Sequence, residues 1–113
     1  MISTWFGKNP DESQLDAIRH LSARCPQDTR AAVTAATGTL DLRPTFSQPG
    51  PPTLIMCGRD DRATPAKFSR RIADSIAGSE LDLIDNAGHM AIIEQPDRVA
   101  TALGSWLRRA TST

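Results

Sequence analysis

The pattern of hydrophobic and polar positions divides the chain into two stretches, one before and one after a proline-rich segment. In the first, Leu15, Ile18 and Leu21 recur three residues apart, a spacing that predicts an amphipathic helix. We expect this helix to begin within residues 9–12, Asn-Pro-Asp-Glu. There Asn9 would act as the cap, the proline would occupy the first helical position and the glutamate would complete a capping box.

A second helix is expected from Pro26 to Gly38, with an apolar face made mostly of alanine. Alanine buries little surface, so these two helices would not hold a core by themselves. Residues 43–52 contain four prolines and a glycine, which predicts an irregular linker.

Beyond the linker the pattern changes to that of a parallel sheet. The unbroken apolar run 53–57 predicts a strand covered on both faces. A helix is expected from Pro65 to Gly78, a second strand over residues 81–84 and a last helix from Pro96. The order strand, helix, strand, helix predicts an α/β fold with two parallel strands and a right-handed crossover.

Apolar residues at helical spacing mark the faces that these last two helices are expected to bury. They are Phe68, Ile72 and Ile76 in the first, and Val99, Leu103, Trp106 and Leu107 in the second.

Length and charge narrow the classes of protein. One hundred and thirteen residues form one small domain or a piece of a larger one. Thirteen basic and thirteen acidic side chains cancel, which argues against a nucleic-acid-binding face or a polybasic membrane anchor. No apolar run approaches the ~20 residues of a membrane span. Since the N-terminus does not resemble a secretory signal, we expect a cytoplasmic protein with neither nucleic acid nor membrane as partner.

The two cysteines and one of the two histidines carry no clear chemistry. Cys25 and Cys57 have neither metal-ligand spacing nor the pattern of a disulfide framework, and we expect no metal and no cofactor. Cys57 lies within an apolar run, where cysteine is usually an inert small hydrophobic residue. Cys25 is interpreted as a free thiol and His20 as a solvated residue of the first helix.

Two groups of titratable residues follow the predicted strands. Asp60 and Asp61 come after the first strand, and His89 comes after the second. Because parallel neighbours end at the same edge of a sheet, we expect one aspartate to accept a hydrogen bond from the imidazole. Such a carboxylate fixes the tautomer of the ring and stabilises its protonated form. Gly88, before the histidine, would give the loop freedom to aim the ring.

The residues around these positions resemble a known family. Residues 52–65, Pro-Thr-Leu-Ile-Met-Cys-Gly-Arg-Asp-Asp-Arg-Ala-Thr-Pro, resemble the acid-bearing strand and turn of α/β-hydrolases. Residues 86–90, Asn-Ala-Gly-His-Met, with Glu-Gln-Pro at 94–96, resemble the histidine loop and the start of the final helix. The resemblance extends over residues 49–109.

The family's spacing selects one of the two aspartates. In α/β-hydrolases the acid lies three residues after the strand-end glycine and four before a proline, and counting from Gly58 and Pro65 gives Asp61. The resemblance therefore implies that Asp61 is the triad acid and His89 the catalytic histidine. Asp60 is interpreted as a surface ion-pair or loop residue.

The chain departs from the family at the nucleophile. The G-x-S-x-G elbow is absent, as is the upstream loop that completes the oxyanion hole, so we expect the chain alone to be inactive by the family mechanism. The resemblance implies that residues 49–113 are the C-terminal strand-helix-strand-helix part of the α/β-hydrolase core. Residues 1–48 would be a helical cap remnant with its return linker.

Two functional hypotheses remain open. In the first, the chain is a partial hydrolase that supplies acid and histidine to a serine elsewhere, acting on a small-molecule ester, lactone or related carbonyl compound. In the second, it is a non-catalytic interaction or vestigial module on a hydrolase-derived scaffold. Its exposed strand edge would then mediate self-association or bind a partner chain.

Three further residues have two interpretations each. Glu94 is expected to interact with the N-terminus of the last helix, with support of the histidine loop as the alternative. Trp5 and Phe6 are expected to pack in the interior, with a substrate pocket under a cap as the alternative.

Overall fold

The structure is a computed structural model that describes residues 2–112. Its elements in chain order are a 3-10 helix at Ile2–Trp5, α1 at Glu12–Ala23, α2 at Gln27–Gly38, α3 at Arg43–Phe46, β1 at Leu54–Gly58, α4 at Ala66–Ser75, β2 at Glu80–Ile84, α5 at Ala91–Glu94 and α6 at Pro96–Ala110. The predicted strand-helix-strand-helix order of the second half is confirmed.

The two strands form a parallel pair, as predicted. The register runs from Leu54 opposite Glu80 to Gly58 opposite Ile84, and α4 crosses between the strands and packs on both. Among residues 2–112 the sheet has just these two strands, so β1 is paired along one edge. No helix in this part of the chain is long and apolar enough to cross a membrane.

A small core lies where α6 meets the sheet. Ile84 and Ala87 are fully buried, Val99 joins them from α6, and Met56 and Ala91 pack against this cluster. The burial of Val99 is therefore confirmed.

The expectation of burial was wrong for three other apolar residues. Phe68, Leu103 and Leu107 are 44%, 40% and 45% exposed, because no described element covers the parts of α4 and α6 that carry them.

The start of α1 also differs from the prediction. The helix is capped by Asp11 rather than Asn9: the Asp11 carboxylate accepts from the backbone N–H groups of Ser13, at 2.8 Å, and Gln14, at 3.3 Å. An aspartate satisfies free helix N–H groups as well as an asparagine does, and this one is two residues closer to the apolar stripe. The helix therefore begins at Glu12, after the proline.

Part of the predicted linker 43–52 is helical. α3 forms one turn with Pro44 in its first positions, where the missing N–H of proline leaves no bond unmade. The Asp41 carboxylate accepts from the backbone N–H of Arg43 at 3.0 Å and from its guanidinium at 2.8 and 2.7 Å. These bonds stabilise the turn. The prediction of an irregular linker rested on the number of prolines, which does not indicate such bonds.

The first two helices lie apart from the sheet. No residue of α2 is buried, and α1 buries only Leu15. The Cα radius of gyration is 15.9 Å, against about 13 Å for a compact chain of this length. Among the contacts that join the first half to the second, Gln14 of α1 donates to the carbonyl of Ile93 at 3.1 Å, and residues 2–7, the N-terminal turn, bury Phe6 fully.

Candidate functional site

The carboxyl ends of β1 and β2 bring two loops together. The backbone N–H of Arg59 donates to the carbonyl of Ile84 at 2.8 Å, and that of Asp60 donates to Ala87 at 2.9 Å. Residues 59–65, the acid loop, are thus bonded through their backbone to the strand and loop that precede the histidine. These bonds fix the distance between the two sets of side chains.

Two glycines permit this close approach. A Cβ built on Gly58 would lie 2.0 Å from the carbonyl oxygen of Gly88, and one on Gly88 would lie 2.5 Å from the backbone carbonyl carbon of Phe6. Gly88 therefore serves close contact rather than a special backbone conformation. Within residues 2–112, the positive φ of the histidine loop belongs to Asn86, at 55°.

The structure places Asp61 beside His89. Asp61 Oδ2 lies 3.0 Å from His89 Nδ1. Its other oxygen, Oδ1, accepts from the backbone N–H groups of Ala63 at 2.9 Å and Thr64 at 2.8 Å. The Thr64 hydroxyl donates to Oδ2 at 3.1 Å. The spacing argument and the fold thus bring the same two residues together.

The surroundings of Asp61 favour its charged form. Burial acts to raise the pKa of this carboxyl, but the backbone N–H of Thr64, the His89 ring and the Thr64 hydroxyl donate to it. Together these bonds hold the pKa of Asp61 below its usual value. The site therefore contains a buried aspartate that is ionised at neutral pH.

His89 is the exposed member of the pair. Its side chain is 41% exposed, whereas that of Asp61 is 5% exposed. An ionised carboxylate can only accept hydrogen bonds, so we assign the ring proton to Nδ1, which leaves Nε2 as the basic nitrogen. This arrangement can take a proton from a group that approaches from the open side.

Asp60 and Cys57 lie beside the pair without joining it. The Asp60 carboxylate is 3.5 Å from Lys8 Nζ in an ion pair. Cys57 is buried, and its Sγ lies 3.3 Å from the carbonyl oxygen of Gly58 and 4.0 Å from Asp61 Oδ2. Across the described residues, no group of three or more His, Cys, Asp and Glu side chains is arranged to hold a metal ion.

Glu94 bonds the histidine loop to the N-terminal turn. Its Oε2 accepts from the backbone N–H of Gly88 at 2.8 Å, and its Oε1 accepts from that of Gly7 at 2.6 Å. The backbone N–H of Met90 donates to the carbonyl of Trp5 at 3.0 Å. The structure therefore shows Glu94 in the second of its two interpretations, supporting the histidine loop.

The expected packing of Phe6 in the interior is confirmed, but sequence reasoning missed Thr64 and the contacts of the N-terminal turn with the site. A threonine three residues after an aspartate is a common turn-forming pattern, and that pattern was the available signal for Thr64. Nothing in the sequence indicated that the Arg62 guanidinium donates to the carbonyls of Ser3 at 3.1 Å and Phe6 at 3.4 Å. Those contacts join the N-terminal turn to a residue 56 or more positions later, so they depend on the tertiary structure.

Comparison with known proteins identifies the family. The sequence model described as the alpha/beta hydrolase family matches residues 2–102. The chain belongs to the alpha/beta hydrolase family.

Curated relatives of this alpha/beta hydrolase are named for different activities. An epoxide hydrolase of Mycobacterium tuberculosis is 30% identical over 99 residues, which cover 85% of this chain and 45% of the relative. A proline iminopeptidase of Lactobacillus crispatus is 41% identical over 56 residues, which cover 50% of this chain and 19% of the relative. The family is thus shown, while the substrates named for these relatives differ from one another.

Solved structures confirm the α/β-hydrolase fold. A thermophilic esterase from Thermogutta terrifontis matches with a TM-score of 0.88 at 26% identity, over 99% of this chain and 43% of the esterase. An esterase from Exiguobacterium antarcticum matches with a TM-score of 0.86 at 24% identity, over 95% and 40%. The chain spans less than half the length of each of these relatives.

Proposed function

We propose that this alpha/beta hydrolase chain supplies the acid and the base of a serine-type hydrolase. Asp61 would be the acid, His89 the base, and the substrate a small-molecule ester, lactone or related carbonyl compound. The observation that carries the proposal is the 3.0 Å contact between Asp61 Oδ2 and His89 Nδ1 at the carboxyl edge of the parallel strands. Family membership and the structural likeness to two esterases support it.

The proposed chemistry follows from the assigned ring proton. With Nδ1–H bonded to Asp61, Nε2 of His89 accepts the proton of a serine hydroxyl as its oxygen attacks the carbonyl carbon. The same nitrogen then returns the proton to the leaving group. The Asp61 carboxylate keeps the ring in this tautomer and stabilises the positive charge that the ring gains.

The nucleophile of the proposed reaction lies outside these 113 residues. The sequence contains no G-x-S-x-G elbow, and the relatives are more than twice as long as the part that this chain matches. Loss of a serine nucleophile alone lowers kcat by a factor on the order of 10⁶. We therefore propose that the chain alone does not hydrolyse esters and acts with a segment that bears the elbow.

Joining the chain to the elbow-bearing part of a family esterase tests the proposal. We expect the joined protein to hydrolyse p-nitrophenyl esters. His89→Ala should lower kcat about 10⁶-fold and Asp61→Asn about 10⁴-fold. The matched controls are His20→Ala and Asp60→Asn, which change the same residue types outside the pair and should leave kcat unchanged.

Two results would overturn the proposal. One is a joined protein that unfolds cooperatively but hydrolyses no ester. The other is an active joined protein in which His89→Ala costs no more than His20→Ala. Either result would favour the non-catalytic alternative, which the edge of β1 left unpaired among the described residues also supports.

A further inference from the structure

Three polar atoms meet at the centre of the site and form a triangle. Asp61 Oδ2 lies 3.0 Å from His89 Nδ1, Thr64 Oγ1 lies 3.1 Å from Oδ2, and Thr64 Oγ1 lies 3.1 Å from Nδ1. Each atom is thus within hydrogen-bond distance of the other two. A change in the position of any one of these three groups therefore changes the hydrogen bonding of the other two.

Two hydrogens occupy this triangle. The ionised carboxylate has none, so the Thr64 hydroxyl donates to Oδ2. The lone pairs of the hydroxyl oxygen are then available to Nδ1–H. The ring proton of His89 therefore faces two acceptors, Oδ2 and Oγ1, rather than the carboxylate alone.

Thr64 also determines how the carboxylate is turned. Its backbone N–H donates to Oδ1 at 2.8 Å while its hydroxyl donates to Oδ2 at 3.1 Å, so one residue holds both oxygens of Asp61. Without the hydroxyl, Oδ1 would stay anchored while Oδ2 lost one of its two donors within the triangle. The carboxylate could then rotate away from the ring.

The other ring tautomer would need a different arrangement. With the proton on Nε2, the Nδ1 lone pair would face the carboxylate at 3.0 Å, a repulsive contact. The hydroxyl could relieve it only by turning towards Nδ1, which would remove its bond to Oδ2. The bond that Thr64 makes to Asp61 is thus compatible with a proton on Nδ1 and opposes its transfer to Nε2.

We propose that Thr64 is a positioning residue: its hydroxyl holds the Asp61 carboxylate against the ring and keeps the His89 proton on Nδ1. The role in turnover rests on the proposed function, because it matters only if Nε2 accepts a proton from a nucleophile. The tautomer preference itself does not depend on any reaction.

Thr64→Val is the first test, because valine keeps the β-branched shape and the backbone N–H but lacks the hydroxyl. Thr64→Ser retains the hydroxyl and should rescue. The ring ¹⁵N shifts of the 113-residue chain at neutral pH report which nitrogen carries the proton. The exposed His20 provides an internal reference in the same spectrum.

We expect Nδ1–H for His89 in the parent chain and in Thr64→Ser, and a shift towards Nε2–H in Thr64→Val. Thr101→Val, on an exposed position of α6, controls for the substitution itself. If Thr64→Val does not fold, Thr64→Ala gives the same comparison with a smaller side chain. An unchanged His89 tautomer without the hydroxyl overturns the proposal.

Turnover of the joined hydrolase separates this proposal from the proposed function. Loss of one hydrogen bond should lower kcat about three- to ten-fold in Thr64→Val with KM unchanged, and Thr64→Ser should restore it. A tautomer shift with no effect of His89→Ala on turnover refutes the function and leaves the positioning role. If the His89 tautomer is unchanged in Thr64→Val while His89→Ala abolishes turnover, the positioning role is refuted and the proposed function stands.

Discussion

At the scale of single residues, Asp61 combines burial with charge. An ionised carboxylate away from water needs several donors, and Asp61 has two backbone N–H groups, one hydroxyl and one imidazole. This dense bonding holds the side chain in one orientation. It also makes the folded state depend on the charge of this one group.

Acid should therefore destabilise the chain through Asp61. Because its pKa is lower in the folded chain than when unfolded, its contribution to stability is complete above the unfolded value. That contribution is lost as the pH falls through the lower folded value. Urea unfolding between neutral and strongly acidic pH should show a smaller loss of stability in Asp61→Asn than in the parent. Asp60→Asn is the control, and an equal pH dependence in both variants would contradict the prediction.

Gly58 should tolerate no side chain. A Cβ there would meet a backbone oxygen at 2.0 Å, so Gly58→Ala should lower the free energy of unfolding by more than about 2 kcal/mol. Gly104 is the matched control: in α6 an added Cβ lies 3.7 Å from its nearest neighbour, a flexible arginine nitrogen. Gly104→Ala should raise stability by about 0.5–1 kcal/mol. Thermal unfolding measures both, and a stable Gly58→Ala protein would show that the loops are farther apart.

Sequence spacing located the candidate pair but not its surroundings. Gly58, Pro65 and the residues around His89 selected two positions that the fold places 3.0 Å apart. The hydroxyl of Thr64 could not be placed in the same way, since its partners depend on the curvature of the loop. Local patterns thus predict which side chains meet at a strand end, while the orientation of each polar group needs the tertiary structure.

At the scale of elements, the histidine loop is held from two directions. The acid loop holds it through the bond from the Asp60 N–H to the Ala87 carbonyl, and α5 holds it through Glu94. α5 is a single turn of four residues, too short to show any apolar periodicity, and the pattern of apolar residues therefore does not predict it. The pattern does predict β1, α4, β2 and α6, because each is long enough to show apolar residues at the spacing of its helix or strand.

Glu94→Gln should loosen this loop. The amide replaces one carboxylate oxygen with an NH₂ group, so either Gly88 or Gly7 loses its acceptor and stability should fall by about 1–3 kcal/mol. Hydrogen exchange should quicken at both glycine amides. Glu12→Gln, which alters an exposed ion pair with Arg19, should cost less than about 1 kcal/mol. Unchanged exchange at Gly88 would contradict the prediction.

At the scale of the whole molecule, many large apolar side chains remain exposed. The sheet has two strands among the described residues, fewer than an independent sheet usually needs. Several large apolar side chains are exposed, among them Leu21, Val33, Leu40, Phe68, Ile92, Leu103 and Leu107. The sequence predicted which segments are amphipathic, but it could not show how much of each apolar face would be covered.

We expect the isolated chain to self-associate through β1. Its apparent mass in light scattering after size exclusion should rise with concentration, because an apolar strand edge pairs readily with another chain. Ile55→Lys should reduce this association by placing a charge on β1. Leu21→Lys, which changes an exposed leucine of α1 away from the sheet, should reduce it less. A chain that stays monomeric at all concentrations and melts in one sharp transition would contradict the prediction.

The bond between Glu94 and Gly7 joins residues that lie 87 positions apart. On a ribosome the N-terminal turn emerges first, and its acceptor follows on the order of ten seconds later. During most of that interval Gly88, against which the backbone of Phe6 lies in the finished fold, has not yet been synthesised. The N-terminal turn and the histidine loop can therefore be joined only after residues 88–94 have been synthesised, and the candidate site is not held by Glu94 before then.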